Sequence, residues 1–262
     1  MSHHGVLVTP EVATGWQAGL GDEGGHALTQ IQIEAPEEVR ARLCLALDTD
    51  DLVEAGRRAR ELGPWFGTLK VGLELFASAG PAAVSALQGL GLDVFVDLKL
   101  HDIPTTVHKA ARVLGSLGVA HVTFHAHGGV DMLRAGVDGL REGADSAGLP
   151  APRALAVTVL TSDDSAPPHI LPMRVEAAAE AGCDGLVCAV ADVAEVRAIV
   201  PDLFVATTGI RTTGDDPHDQ RRTATPSEAL AAGVDLLVLG RTITHAEDPA
   251  GAAAAVVDDA LS

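Results

Sequence analysis

The sequence predicts an α/β fold, a single (β/α)8 barrel of the TIM type preceded by an N-terminal extension. Eight short apolar runs recur at intervals of about 25 residues, and each is followed by a stretch with helical periodicity. Charged residues follow several of these runs, at the strand ends that a barrel collects on one face. An open doubly wound sheet is the alternative. No G-x-G-x-x-G follows the first run, which counts mildly against a dinucleotide-binding version of that sheet.

Each strand is predicted from a continuous apolar run, because strands of a parallel sheet are buried on both faces. The strands are expected at 43–47, 67–71, 92–99, 119–124, 154–160, 185–189, 203–207 and 236–239. The helices between them are expected at 49–62, 81–90, 104–117, 130–144, 171–181, 193–199, 226–232 and 249–261. Pro104 suits the first turn of the third helix, where a backbone N–H is not needed.

The first 38 residues differ in character from the rest of the chain. They are rich in Gly, Thr, Glu and Gln and show only weak periodicity. We expect residues 1–38 to form a poorly ordered extension without chemistry of its own, and residues 39–262 to form the catalytic barrel.

Composition restricts the partners and the compartment. With 36 acidic and 18 basic residues the net charge is −18, which argues against nucleic acid or an anionic membrane as a partner. The three cysteines, Cys44, Cys183 and Cys188, lack C-x-x-C spacing and are expected to be reduced and buried. The sequence shows no signal-peptide pattern and no apolar run of about 18 residues. We therefore expect a soluble, cytoplasmic protein.

The stretch after the third strand carries the strongest chemical signal. It places Asp97, Lys99 and Asp102 within six residues. Side chains alternate along a strand, so Asp97 and Lys99 are expected on one face, about 7 Å apart. Asp102 is expected in the strand-to-helix loop or at the helix N-cap. A salt-bridged loop that only caps the helix is the structural alternative, but it does not explain a costly charge cluster after an apolar strand.

Two further charged residues extend this cluster. Asp48 ends the first strand and Lys70 lies in the second. Neighbouring strands are about 5 Å apart, so Asp48, Lys70, Asp97 and Lys99 are expected to form one alternating acid–base chain. A lysine held between carboxylates stays protonated, which favours proton donation over Schiff-base chemistry. A simple ion pair at the strand end is the alternative for Lys70.

The last two units predict a site for an anion. Gly209-Ile210-Arg211 follows the seventh strand and Gly240-Arg241 follows the eighth, the positions where such barrels often bind phosphate. Gln220 lies in the seventh loop and is expected to bridge the phosphate and the rest of the ligand. A surface arginine after a strand is the alternative for each Gly-Arg pair.

Two other polar pairs are assigned no chemistry. His125 and His127 have the i, i+2 spacing of two metal ligands, but no third ligand is evident nearby, and no metal is expected. Asp163 and Asp164 are expected in a solvated loop.

Taken together, the motifs resemble those of the orotidine 5'-phosphate decarboxylase family. The matching segments are Ala46-Leu47-Asp48, Lys70-Val71-Gly72-Leu73-Glu74-Leu75-Phe76, Asp97-Leu98-Lys99-Leu100-His101-Asp102-Ile103-Pro104, Leu155-Ala156-Val157-Thr158-Val159-Leu160-Thr161-Ser162, Gly209-Ile210-Arg211, Asp219-Gln220 and Gly240-Arg241. The resemblance implies cofactor-independent decarboxylation of orotidine 5'-phosphate to UMP by a homodimer whose subunits share their active sites. Thr105 and Thr242 depart from it, because the family usually has Asn and often Pro there.

The resemblance also implies a role for each residue. Lys99 would donate the proton to C6, Asp97 would sit beside the departing carboxylate, and Lys70 with Asp102 would complete the charged network. The remaining implied contacts are Asp48 and Lys70 to the ribose, Thr161 to the pyrimidine edge, Ile103 and Thr106 with the Asp102 loop, and Arg211, Gln220, Gly240 and Arg241 to the phosphate.

Two rival functions remain. A magnesium-dependent sugar-phosphate decarboxylase or aldolase shares D-x-K-x-x-D but needs an acidic metal ligand near the end of the second strand, where this chain has Lys70. A non-catalytic phosphate-binding barrel is the other, although binding alone does not require four buried charges.

Overall fold

Eight parallel strands close into a barrel in sequence order, with β1 hydrogen-bonded to both β2 and β8. The computed structural model describes residues 34–163, 165–211 and 222–262. The strands are Leu43–Leu47 (β1), Thr68–Val71 (β2), Asp93–Leu100 (β3), His121–His125 (β4), Arg153–Val157 (β5), Gly185–Cys188 (β6), Phe204–Thr207 (β7) and Leu236–Leu239 (β8). The predicted (β/α)8 fold is confirmed.

Helices follow the strands and cover the outside of the barrel. They are Glu37–Arg40 (α1), Leu52–Leu62 (α2), Leu73–Ala79 (α3), Pro81–Gln88 (α4), Pro104–Gly115 (α5), Gly129–Ala147 (α6), Ile170–Ala181 (α7), Val193–Ile199 (α8), Pro226–Ala231 (α9), Arg241–Thr244 (α10) and Pro249–Ala260 (α11). Short 3₁₀ turns span Ala126–Gly128 and Val190–Asp192. None of the helices in the described ranges is long and apolar enough to cross a bilayer.

The apolar strands separate two layers of core. The larger layer packs the outer strand faces against the helices. A smaller cluster alternates along the strands and fills the barrel interior; it contains Cys44, Ala46, Phe95, Leu155, Val157, Val187, Ala206, Leu236 and Val238. Burial on both faces explains why each strand reads as a continuous apolar run. The three cysteines are buried and unpaired, as expected.

Three short helices, α1, α3 and α10, were not predicted, and α1 has only four residues. Helix α3 fits between Gly72 and Gly80, and Gly80 adopts φ +58°, which ends the helix before Pro81 starts the next. Helix α10 has four residues, too few for a periodic apolar pattern.

Of three other predictions, one needs correction, one is confirmed and one stays a prediction. Strand β5 ends at Val157 rather than at residue 160, so the next residues turn toward the barrel mouth. The N-cap of α5 is Ile103, so Asp102 lies in the strand-to-helix loop, one of the two positions expected for it. The boundary at residue 38 falls within α1, and residues 1–33 lie outside the described part of the chain. The division into extension and barrel therefore remains a prediction.

Candidate active site

A cavity of about 230 Å³ opens at the carboxyl ends of the barrel strands. Apolar residues of the barrel interior form its floor, among them Ala46, Phe95 and Val187. The polar and charged residues of its wall are Asp48, Lys70, Asp97, Lys99, Thr161, Thr208, Arg211 and Arg241. Charged groups thus line the wall of a pocket whose base is apolar, which suits a ligand with an apolar body and charged groups.

The predicted acid–base chain is present in the structure. Lys70 Nζ lies 3.1 Å from Asp48 Oδ1 and 3.6 Å from Asp97 Oδ2. Lys99 Nζ donates to both carboxylate oxygens of Asp97, at 2.9 and 3.0 Å. Lys70 and Asp97 are each 8% exposed, whereas Lys99 is more open to the cavity. The chain therefore runs from the solvent-facing Asp48 through a buried pair to an accessible ammonium.

Burial and neighbouring charges shift the pKa values of Asp97 and Lys70 in opposite directions. Burial alone would raise the pKa of Asp97, but the ammonium groups of Lys70 and Lys99, with the hydrogen bonds from Lys99 and Thr123, hold it below its usual range. Burial alone would lower the pKa of Lys70, and the carboxylates of Asp97 and Asp48 raise it instead. Both groups remain charged near neutral pH.

Gly72 lies close to the first contact of the acid–base chain. A Cβ there would lie 3.0 Å from both Asp48 Oδ1 and Lys70 Nζ, so the ends of these two side chains would have to shift by a few tenths of an ångström. Glycine lets the contact form without that shift.

The backbone at Lys99 departs from the regular strand geometry on which the prediction of side-chain alternation rests. Its φ is +50°, the single positive φ outside glycine among the described residues, and the β3–β4 register shifts between Val96 and Leu100. The backbone N–H of Lys99 donates to the hydroxyl of Thr123 on β4 at 2.9 Å, and that hydroxyl donates to Asp97 Oδ1 at 2.9 Å. Sequence reasoning missed Thr123, because its partners depend on the strand pairing.

The expected anion side is built around α10. Gly240 precedes this helix, and Arg241 is its first residue. Arg211 is 7% exposed, and its Nη1 donates to the Ile210 carbonyl and to Thr242 Oγ1 at 2.7 and 3.2 Å. Thr242, where the family often has Pro, thus helps to orient an arginine in the cavity wall. Gln220 lies outside the described residues.

The loop after β5 forms the remaining wall. Thr161 Oγ1 lies 3.4 Å from Thr208 Oγ1 across the cavity mouth. Arg222 ties this loop to the 3₁₀ turn before α8, because its guanidinium donates to the Leu160 carbonyl at 3.1 Å and to both carboxylate oxygens of Asp192 at 2.7 and 2.8 Å. Neither Thr208 nor Arg222 carried a sequence signal.

Comparison with known proteins assigns the family. The model described as the orotidine 5'-phosphate decarboxylase / HUMPS family matches residues 41–256. The chain belongs to this family, which confirms the resemblance drawn from the motifs.

Individual relatives agree with this assignment. The orotidine 5'-phosphate decarboxylase of Anaeromyxobacter sp. (strain K) is 47% identical over 226 residues, which are 82% of this chain and 96% of the relative. That of Thermobifida fusca (strain YX) is 47% identical over 228 residues, 82% of this chain and 94% of the relative. A crystal structure of orotidine 5'-phosphate decarboxylase from Lactobacillus acidophilus has a TM-score of 0.72 and 34% identity, and covers 85% of this chain and 100% of that one.

One family motif residue lies away from the cavity of its own chain. Asp102 is exposed, and its Oδ1 accepts a hydrogen bond from the backbone N–H of Ile103 at 2.6 Å. Ile103 is 67% exposed, and Thr106 is also exposed. The single subunit therefore brings together Asp48, Lys70, Asp97 and Lys99, but it does not bring the Asp102 loop into their cavity.

His125, the last residue of β4, and His127, in the 3₁₀ turn that follows, belong to a cluster of three rings. The ring centroid of His101 lies 5.7 Å from that of His125 and 5.5 Å from that of His127. Partial burial lowers the pKa of His125, and nearby Arg174 lowers it further. Within the described ranges, no three His, Cys, Asp or Glu residues have an arrangement suited to a metal ion.

Proposed function

We propose that this protein decarboxylates orotidine 5'-phosphate to UMP, without a cofactor, in pyrimidine nucleotide synthesis. The observation that carries the proposal is the Lys99 ammonium, which is held 2.9 and 3.0 Å from the oxygens of buried Asp97 and is accessible from the cavity. Membership of the orotidine 5'-phosphate decarboxylase / HUMPS family supports the same reaction.

In the proposed reaction the bond between C6 and the carboxylate breaks, and its electron pair stays on C6. Carbon dioxide leaves, and C6 takes a proton from Lys99 Nζ. The neutral amine then recovers its proton from solvent. The fixed ammonium stabilises the carbanion as it develops, because the donor is already in place and need not reorganise.

Asp97 and Lys70 are proposed to hold the donor in its charged form and in position. Asp97 would lie beside the departing carboxylate and accept hydrogen bonds from Lys99 throughout. Lys70 neutralises the buried Asp97 and, together with Asp48, would bind the ribose hydroxyls. The contacts of 3.1 and 3.6 Å made by Lys70 support this dual role.

The cavity wall after strands β7 and β8 is proposed to bind the rest of the nucleotide. Arg211, Gln220, Gly240 and Arg241 would surround the phosphate, and Thr161 would contact the pyrimidine edge. A phosphate held far from C6 contributes binding energy that positions the reacting carbon against Lys99. The presence of Arg211 and Arg241 in the wall of the same cavity as the acid–base chain supports this division.

A homodimer is proposed to complete each active site. Asp102 would reach across into the site of the second subunit, together with Ile103 and Thr106. The exposure of all three residues supports this arrangement, because their side chains are accessible to a second subunit. The exposed Asp102 then supplies a carboxylate that its own cavity does not use.

Lys70 argues against magnesium-dependent chemistry on sugar phosphates. Its ammonium lies at the place where such enzymes need an acidic metal ligand, and it is bonded to Asp48 in the cavity wall. A positive charge at this point repels a divalent cation.

The direct test is a spectrophotometric assay in excess EDTA. Loss of the orotate absorbance of orotidine 5'-phosphate, with formation of UMP, is the expected result. No turnover with this substrate, followed by magnesium-dependent turnover of a ketose phosphate, would overturn the proposal. No turnover of either substrate would favour a barrel that binds phosphate ligands without catalysis.

A further inference from the structure

We propose that Thr123 is a positioning residue that fixes the proton donor from two sides at once. Its single hydroxyl accepts from the Lys99 backbone N–H at 2.9 Å and donates to Asp97 Oδ1 at 2.9 Å. Lys99 Nζ donates in turn to the same Asp97 carboxylate. The hydrogen bonds thus form one closed ring, which runs from the Lys99 backbone through the Thr123 hydroxyl and the Asp97 carboxylate to the Lys99 ammonium. The inference rests on the proposed function, because it assigns a role in the same proton transfer.

The backbone at Lys99 needs such a support. A positive φ is unfavourable for a lysine, because its Cβ crowds the following carbonyl. The register shift between Val96 and Leu100 also interrupts the β3–β4 ladder where Lys99 would otherwise find a backbone acceptor. The hydroxyl of Thr123 takes the place of that acceptor. Strained conformations of this kind persist where the surroundings over-determine them, and they cluster at functional sites.

The direction of the hydroxyl proton follows from its partners. A backbone N–H can only donate, so Thr123 Oγ1 accepts from Lys99 and its own proton is available for the Asp97 carboxylate. A donated bond to the ionised form contributes to the low pKa of Asp97 and fixes which oxygen faces Lys70. Thr123 is fully buried and does not line the cavity, so it acts on the substrate only through Lys99 and Asp97.

Placement of the ammonium is the property that this ring would control. Proton transfer to C6 depends on donor geometry at a scale below 1 Å, and supporting residues of this kind change rates by about 10- to 100-fold. Binding of the phosphate depends on a different part of the cavity wall. Loss of the hydroxyl is therefore expected to lower kcat and leave nucleotide affinity nearly unchanged.

The test compares Thr123→Val, Thr123→Ser and Thr158→Val with the full-length wild type. Valine keeps the shape of threonine but removes both hydrogen bonds, and serine keeps them. Thr158 is a matched control, because it is equally buried and, among the described residues, its hydroxyl donates only to the Val187 carbonyl, at 3.1 Å. The measurements are kcat and KM for orotidine 5'-phosphate, the Kd of UMP, the thermal midpoint, and a ¹³C NMR titration of the Asp97 carboxylate.

Thr123→Val is expected to lower kcat about 10- to 100-fold and to raise the pKa of Asp97, with the Kd of UMP within about twofold of wild type. Thr123→Ser should recover most of kcat. Thr158→Val should lose thermal stability to a similar extent and keep kcat within about twofold.

Three results would overturn the inference: unchanged kcat in Thr123→Val, equal losses in the valine and serine variants, or an equal kcat loss in Thr158→Val. Absence of decarboxylase activity in the wild type would instead exclude the proposed function. The NMR titration still reports on the Thr123–Asp97 contact in that case.

Discussion

Lys70 lies between two carboxylates, 3.1 Å from Asp48 and 3.6 Å from Asp97, and it is the buried centre of the acid–base chain. Its ammonium compensates the charge of Asp97, which in turn accepts both hydrogen bonds from Lys99. The order of charges explains how a barrel interior that is otherwise apolar holds two acids and two lysines. Lys70 and Asp97 each have an opposite charge within 4 Å, and the ammonium that remains accessible belongs to Lys99, the proposed proton donor.

Lys99→Ala is expected to lower kcat by about 10³-fold or more, because it removes the proposed proton donor and the stabilising charge together. The Kd of UMP, measured by titration calorimetry, should change by much less, since the proposed phosphate contacts are made by other residues. Lys109→Ala is the matched control, because Lys109 is exposed on α5. Near-normal turnover by Lys99→Ala would exclude the assigned role.

The dependence of the free energy of unfolding on pH should report whether Asp97 is ionised. Its pKa is lowered in the folded protein, so its stabilising contribution is complete above the ordinary carboxyl pKa of about 4 and is lost as pH falls through the folded value. Asp97→Asn is expected to reduce the free energy of unfolding by about 3 kcal/mol at pH 7, because Lys70 and Lys99 lose a buried partner.

Urea unfolding of wild type and Asp97→Asn between pH 7 and about pH 3 provides the measurement. The difference between the two proteins should shrink as pH falls, whereas Asp138→Asn, at an exposed carboxylate on α6, should change little. A constant difference across this range would mean that the two lysines do not hold Asp97 ionised.

Arg241→Ala is expected to weaken UMP binding by about 10-fold or more, the effect of losing a charge-assisted bond to phosphate. Uridine, which lacks the phosphate, should bind both proteins equally. Calorimetric titration with the two ligands separates these effects, and Arg60→Ala on the exposed face of α2 is the control. Equal weakening of both ligands would place Arg241 away from the phosphate.

Mixing two inactive variants tests the shared active site. Lys99→Ala and Asp102→Ala lose different halves of the proposed site, so a mixed dimer contains one intact site. After co-refolding of equal amounts, random pairing should restore about a quarter of wild-type activity. Each variant refolded alone is the control. No restoration, although a tagged pull-down shows mixed dimers, would mean that Asp102 acts within its own subunit.

The strand pattern and the strand-end charges were determined by the sequence itself. Burial on both faces makes each barrel strand an apolar run, and closure of the barrel then brings Asp48, Lys70 and Asp97 together from three neighbouring strands. These inferences need only local periodicity and strand order. The motif around Lys99 was equally visible, and it led to the family to which the chain belongs.

Tertiary structure decided how Lys99 is held and which neighbours support it. Its positive φ and its bond to Thr123 arise from a register shift between β3 and β4, across 24 residues of sequence, and pairing registers leave no trace in local periodicity. Arg222 likewise contacts Leu160 across 62 residues. The identities of the charged groups follow from the sequence, but their orientation follows from contacts that exist only after the barrel has closed.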